Sequence, residues 1–189
     1  IFVATPLWAP FVVIGLIGVA GAGGLLLTQG YRMERITVWL DPAASEKGHQ
    51  TIQGLYAIGS GGLFGKGLGQ SMQKLGFLPE ANNDMIFSVI CEELGLFGAL
   101  CVLALFFALI WRFMVIAVNA PDLYGSMIVV GVIAHIGIQV FINIAVATNT
   151  IPNTGIPLPF ISYGGSSLVF MLLEMGLVLS VSRYINVKK

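Results

Sequence analysis

LGLFGALCVLALFFALIW, Leu94 to Trp111, decides the fold. The run has no charged, hydroxyl or amide side chain. As a helix it is close to the roughly 20 residues needed to cross the hydrocarbon of a bilayer. Its flanks are unlike each other. Glu92 and Glu93 stand directly before it, and Arg112 directly after. The span is therefore expected over 85–111, with a polar upper end. Three further stretches are apolar over comparable lengths, at 10–28, 124–147 and 166–184, the last with Glu174 inside it. The whole chain shares the bias. Of its 189 residues 57% are hydrophobic and 10% charged, against about a quarter charged in soluble domains. So few charges could not cover a water-soluble surface. The expected fold class is all-α: a polytopic transmembrane helix bundle of about four spans, with residues 1–189 as one membrane domain facing membrane lipids.

The same arithmetic excludes other classes. Nine Lys and Arg balance nine Asp and Glu, so no basic face for nucleic acid is expected. Cys91 and Cys101 fall on one expected helix, about 15 Å apart by helical rise, too far to pair. No His, Cys, Asp or Glu cluster has metal-ligand spacing, so no protein metal site is expected. None of the spans has the basic leader and cleavage site of a signal peptide. The chain opens at Ile1 within an apolar pattern, which reads as the C-terminal part of a longer protein.

Basic residues near span ends set orientation. Arg112, Arg183, Lys188 and Lys189 follow the second and fourth spans and place those ends in the cytoplasm. Loop 148–165 has no Lys or Arg and fits the outside. Segment 29–84 would then be extracytoplasmic too, although it holds Arg32, Arg35, Lys47, Lys66 and Lys74. Loops of this length are usually functional. Within it, Gln50 to Ile58 puts Ile52, Leu55, Tyr56 and Ile58 roughly on one helical face and predicts a short helix at the interface. GSGGLFGKGLG follows, Gly59 to Gly69, with six glycines in eleven residues. It fails as a Walker A loop, because Ser60 and Gly67 stand where Gly and Ser or Thr are needed. Two readings stay open: a flexible turn at the membrane surface, or a backbone nest that joins Lys66 in holding an anionic group.

LPEANNDMIFSVICEELG, Leu78 to Gly95, comes next. Asn82, Asn83 and Asp84 are N-cap types before an apolar run, so Asp84 reads first as a cap. Asp84, Ser88 and Glu92 also share a helical face at i, i+4, i+8. Such a stripe does not face lipid cheaply and usually lines a cavity. An aspartate there could take a proton from a hydroxyl nucleophile. His135, Gln139 and Asn143 repeat the spacing on the third span, as interhelical hydrogen bonds or as the wall of a cavity or proton path. Glu174 needs a partner, expected on a helix outside this chain. The last loop, NTIPNTGIPLPFISYGGSS, is stiffened by Pro152, Pro157 and Pro159 and rich in hydroxyls. Ser166 or Ser167 is expected to cap the fourth span.

AIGSGGLFGKGLGQS, LPEANNDMIFSVICEELG and IPNTGIPLPFISYGGSSL together resemble the SEDS family (FtsW/RodA/SpoVE), over nearly the whole chain. The family comprises bacterial membrane glycosyltransferases with ten membrane helices that polymerise lipid II into peptidoglycan. The resemblance assigns the last four helices here. It places the long loop outside the bacterial cytoplasmic membrane. It makes Asp84 the essential acidic residue, acting as general base on the acceptor 4-hydroxyl. Glu80 and the run Ser162, Tyr163, Gly164, Gly165, Ser166 fall on the family's other motif positions and are expected to bind substrate. Asn82 and Asn83 depart from the His-Thr pair of many members. Lys66 and Lys74 are the nearest cations to offset the leaving pyrophosphate, with a divalent cation, Mg or Mn, as the other source of positive charge. The implied partners are lipid II, undecaprenyl-linked glycan and a class B penicillin-binding protein. The loop wording looks closer to the division or sporulation branch, but TGIPLPFISYGG resembles the elongation branch too, so the role expected is in cell division or shape maintenance. Two other functions compete: a lipid II flippase using the same polar cavity, and a non-catalytic scaffold recruiting a transpeptidase.

Overall fold

The computed structural model describes residues 12–14, 16–18, 30–45, 48–76 and 78–185. The first expected span, 10–28, lies outside the described residues except for 12–14 and 16–18, which are helical. Among the described residues every regular element is helical. They are α1 (Gly30–Leu40), α2 (His49–Ser60), a short 3-10 turn (Gln73–Leu75), α3 (Ile86–Val118), α4 (Leu123–Ala147) and α5 (Gly165–Ser182). α3, α4 and α5 are long and apolar enough to cross a membrane. α1 and α2 divide the long polar segment into short helices joined by turns.

α4 is the centre of the bundle, packing against α3 on one side and α5 on the other. Phe106, Phe113 and Ala117 of α3 meet Val129, Val132, Ile136 and Val140 of α4, with Met171 and Val178 of α5 closing the core. The outer faces of the three long helices remain apolar and exposed, as at Phe97, Leu105, Phe107, Phe141 and Phe170. In water such surface would be costly, whereas against lipid or further helices it is not. Asp122 caps α4, its carboxylate accepting from Gly125 N–H. α5, the expected fourth span, starts one residue before the first of the expected cap serines. Gly164 stands at the cap position and makes no side-chain bond, and Ser166 and Ser167 lie inside the first turn.

α3 is not continuous. Gly95 has φ 70° and ψ −168°, a conformation essentially confined to glycine. A break at this point leaves carbonyls and amides without helical partners, which is costly away from water. The Gly-rich run supplies the missing partners. Lys66 N–H donates to the Glu92 carbonyl and Gly67 N–H to the Glu93 carbonyl, both at 2.9 Å. From the other side of the break, Leu96 N–H donates to the Gly62 carbonyl at 2.9 Å and Phe97 N–H to Leu63 at 3.1 Å. The loop is thus spliced into the helix. Its glycines are required for contact distance: a Cβ on Gly61 would stand 1.9 Å from the Cys91 carbonyl oxygen, and one on Gly65 2.2 Å from that of Glu93. The flexible-turn reading of Gly59–Gly69 gives way to a fixed backbone insert.

Glu92 locks the insert. Its side chain is fully buried. One oxygen meets Lys66 Nζ at 2.7 Å and the other Ser71 Oγ at 2.5 Å. Met72 and Gln73 N–H groups complete the shell at 3.3 and 3.4 Å. A buried carboxylate is tolerable only when paired and hydrogen-bonded this fully.

α2 packs on α3 through Thr51, Gly54 and Ala57, not through the large residues of its expected apolar face. Leu55 and Tyr56 are exposed. The reason is steric. A Cβ on Gly54 would lie 3.3 Å from Ser88 Oγ and 3.6 Å from Met85 Sδ, so only small residues allow this approach. The stripe Asp84, Ser88, Glu92 is accordingly buried beneath α2 and the insert.

Candidate functional site

The site forms where three segments meet at the start of α3: the turn 78–85, the N-terminal part of α2 and loop 148–165. Asp84 lies in the turn, two residues before the helix. Met85 occupies the cap position with no side-chain bond, so Asp84 is not the cap that its residue type suggests. Its carboxylate instead takes a 3.4 Å hydrogen bond from Gln50 Nε2 on α2. Asp84 is 7% exposed. Burial, above all, pushes its carboxyl above the ordinary carboxylate range, and repulsion from Glu80 adds to that. The bonds from its own N–H, Gln50 and Met85 N–H act in the opposite direction. A carboxylate so placed is a stronger base than one in water.

Asn143 holds the pieces together. It is fully buried on α4, and its side-chain N–H groups donate to the Asp84 carbonyl and the Ile156 carbonyl, each at 2.8 Å. One amide therefore fixes both the turn and the last loop. Of the third-span stripe, Asn143 alone enters the site. His135 pairs at 2.7 Å with Glu174, so one oxygen of Glu174 has a partner within this chain, on α4, while the other is buried without one among the described residues.

Loop 148–165 docks on the turn through Ser162 and Tyr163. Ser162 Oγ donates to the Asn83 carbonyl at 2.6 Å and accepts from Leu158 N–H at 2.7 Å. Tyr163 N–H donates to the Asn82 carbonyl at 2.8 Å. The Tyr163 ring is 82% exposed. Ser162, Tyr163, Gly164 and Gly165 line an open groove together with Asn82 and Ile86. Ser166 is exposed beside it on the first turn of α5. Backbone strain collects here. Glu80, Asn149 and Phe160 adopt φ values of 54°, 54° and 62°, where non-glycine residues cost about 1–3 kcal/mol each, a pattern typical of functional sites. Glu80 anchors its turn, its carbonyl accepting from Asn83 N–H and its carboxylate from the Asn83 amide.

The two lysines lie apart from this cluster. Lys66 is engaged by Glu92. Lys74 is exposed on the 3-10 turn, where its backbone N–H donates to Ser71 Oγ. Among the described residues, no three His, Cys, Asp or Glu side chains converge to hold a metal ion. Gln50 and Asn143 were not singled out as site residues by their sequence context. Asn143 carried a signal in its stripe, whereas Gln50 carried none beyond its position at the start of a helix.

A family model described as cell cycle protein, FtsW/RodA/SpoVE, matches residues 1–187. The chain is 56% identical over 188 residues to stage V sporulation protein E of Bacillus subtilis (strain 168), covering 97% of this chain and 51% of that protein. It is 43% identical over 171 residues to a protein of Geobacter sp. (strain M18) named probable peptidoglycan glycosyltransferase FtsW, covering 89% and 47%. Among solved structures it is similar to a chain of a peptidoglycan synthase complex described as coordinating polymerization and crosslinking. There the TM-score is 0.69 at 28% identity, over 95% of this chain and 51% of the other. The chain spans about half the length of the curated relatives it matches.

Proposed function

Because the chain belongs to the FtsW/RodA/SpoVE family of membrane proteins, we propose that it carries the general base of a peptidoglycan glycosyltransferase acting on lipid II. The observation that carries this reading is Asp84: a buried carboxylate whose proton affinity is raised, held at the mouth of a membrane helix by Gln50 and Asn143. In the proposed step Asp84 takes the proton of the acceptor sugar's 4-hydroxyl. The freed oxygen bonds to the donor's anomeric carbon. The bond from that carbon to the pyrophosphate breaks, and undecaprenyl pyrophosphate leaves with inversion.

The rest of the site suits a lipid-linked saccharide. Ser162, Tyr163, Gly164, Gly165 and Ser166 offer hydroxyls and the first-turn N–H groups of α5, an arrangement that favours an anionic group. Lys66 acts on the substrate, in this proposal, through the insert it holds rather than by direct contact. Lys74 remains the exposed cation nearest in sequence, and any divalent cation is proposed to be brought with the pyrophosphate. The reaction face is proposed to be the outer side of the bacterial cytoplasmic membrane, with the relatives' remaining length supplying the opposite wall of the cavity. A crosslinking partner, a class B penicillin-binding protein, is proposed from the similarity to the synthase complex.

The test is polymerisation of lipid II by the full-length protein in nanodiscs. Asp84→Asn preserves shape and removes the base, so polymer formation is expected to fall by about 10²–10⁴-fold. Polymer formed at the wild-type rate by a folded Asp84→Asn protein defeats the assignment.

A further inference from the structure

A second concavity lies on the other side of Gln50. It sits between α1, the start of α2 and the strained turn at Asn149, and is about 160 Å³ in volume. Clefts that take drug-sized ligands run about 300–1,000 Å³, so this one suits a single ring and not a disaccharide.

Its walls describe the ring. Trp39 offers a half-buried indole face. Gln50, Asn149 and Asn153 are carboxamides, each able to donate and accept. Glu34 and Arg35 bring one charge of each sign. Such a surface selects neither an anion nor a cation. It matches a neutral ligand with mixed donors and acceptors around a flat apolar face, which is the chemistry of an N-acetylated sugar.

The walls are also held in place. Trp39 Nε1–H donates to the Asn149 carbonyl at 3.0 Å, and the Asn149 amide returns a 3.4 Å bond to the Trp39 carbonyl. Arg35 donates to the Asn153 carbonyl at 2.8 Å. Asn153 Nδ2 donates to Gln50 Oε1 at 3.2 Å, and Gln50 Nε2 donates to Asp84 at 3.4 Å. The polar chain therefore runs from the cleft to the carboxylate, and Gln50 is the partition between them.

We infer that this cleft is a subsite for one N-acetylhexosamine ring of the lipid-linked substrate, seated on Trp39 and read by the Gln50 and Asn153 amides, on the side of Gln50 away from Asp84. The inference rests on the glycosyltransferase reading for its choice of ligand, but it is separable by experiment. Full-length protein in nanodiscs is titrated with free N-acetylglucosamine, with binding followed by saturation-transfer NMR. Trp39→Ala and Trp39→Phe are compared with wild type, and lipid II polymerisation is measured on the same samples. Trp39→Ala is expected to weaken sugar binding at least tenfold. Trp39→Phe keeps a flat face and loses only the N–H to Asn149, so it is expected to stay within threefold of wild type. Wild-type affinity in Trp39→Ala, or equal losses in both variants, overturns the subsite even where polymerisation is intact. Trp39-dependent sugar binding by a wild type that makes no polymer upholds the cleft and overturns the enzymatic reading.

Discussion

Gly95→Ala is expected to cost about 2–6 kcal/mol of stability, because the residue serves two purposes at the break in α3. Its φ of 70° with ψ −168° costs a residue with a side chain about 1–3 kcal/mol. The added methyl would also stand 2.3 Å from Gly65 N and 2.6 Å from the Leu63 carbonyl atoms. Those are backbone atoms and cannot swing aside, so the insert must withdraw. Withdrawal endangers four hydrogen bonds of 2.9–3.1 Å, each worth about 0.5–1.5 kcal/mol. Losing two of them brings the sum into the stated range, a fall in Tm on the order of 10 °C. Thermal unfolding of the full-length protein in nanodiscs measures it, with Gly176→Ala as control. That glycine lies within α5 with nothing within 4 Å of an added Cβ, so its alanine variant is expected to be neutral or up to about 1 kcal/mol more stable. Gly65→Ala attacks the same splice from the other side, 2.2 Å from the Glu93 oxygen. The double variant is therefore expected to lose less than the sum of the two. A Gly95→Ala protein that melts with the Gly176→Ala control refutes the splice.

Three other outcomes are expected. Glu92→Ala strips the partner from Lys66, Ser71 and two backbone N–H groups and should destabilise by about 3–5 kcal/mol, read as loss of Tm and faster proteolysis in the segment 61–73. Asp84 has a raised folded-state pKa. The folded state then binds the proton more tightly than the unfolded state, so the folded protein loses stability as pH rises from the ordinary aspartate pKa through the raised one. Asp84→Asn should accordingly melt higher than wild type at neutral pH while losing activity, and wild-type turnover should fall on acidification at a pH above the ordinary carboxylate pKa; an equal or lower melting point counts against the burial argument. A double-mutant cycle on His135 and Glu174, 2.7 Å apart, should return a coupling of about 0.6–1.7 kcal/mol in nanodiscs, and zero coupling contradicts the pairing.

Much of this was readable in the chain. Apolar length alone marks α3, α4 and α5, since a run such as Leu94–Trp111 has few alternatives to a membrane helix. Asp84 and the Ser162–Ser166 run stand out because polar residues are scarce around them. What sequence could not supply was the use of backbone. Glycine spacing in Gly59–Gly69 permits a close approach without naming the surface approached, and that surface is a helix break well along the chain, at Gly95. The break itself was hidden in a segment of strongly helical composition. For the same reason α2 was read by its large residues when its small ones make the contact. Gln50 and Asn153 acquire their roles only from a long-range meeting of α2 with loop 148–165, and no local pattern announces that.

The break also explains how Glu92 and Glu93 can sit in a membrane helix. Taken as one rod, Ile86–Val118 would be about 50 Å long at 1.5 Å per residue, well beyond a hydrocarbon core of about 30 Å. Divided at Gly95, the part below, Leu96–Val118, is about 35 Å and spans by itself. The part above, Ile86–Leu94, is then not needed in lipid and belongs with the polar layer of the insert and α2. Both glutamates fall on this upper part, and the fully buried Glu92 is surrounded there by donors rather than by lipid. A membrane helix that changes its backbone at the interface can thus carry its acidic stripe into a protein-lined setting. The short upper segment is fixed at both ends, by the splice at Gly95 and by Asn143 on the Asp84 carbonyl. A rigid mount of this kind holds a buried carboxylate in place even though burial disfavours its charge. Weakening either end should release Asp84 before it unfolds the bundle.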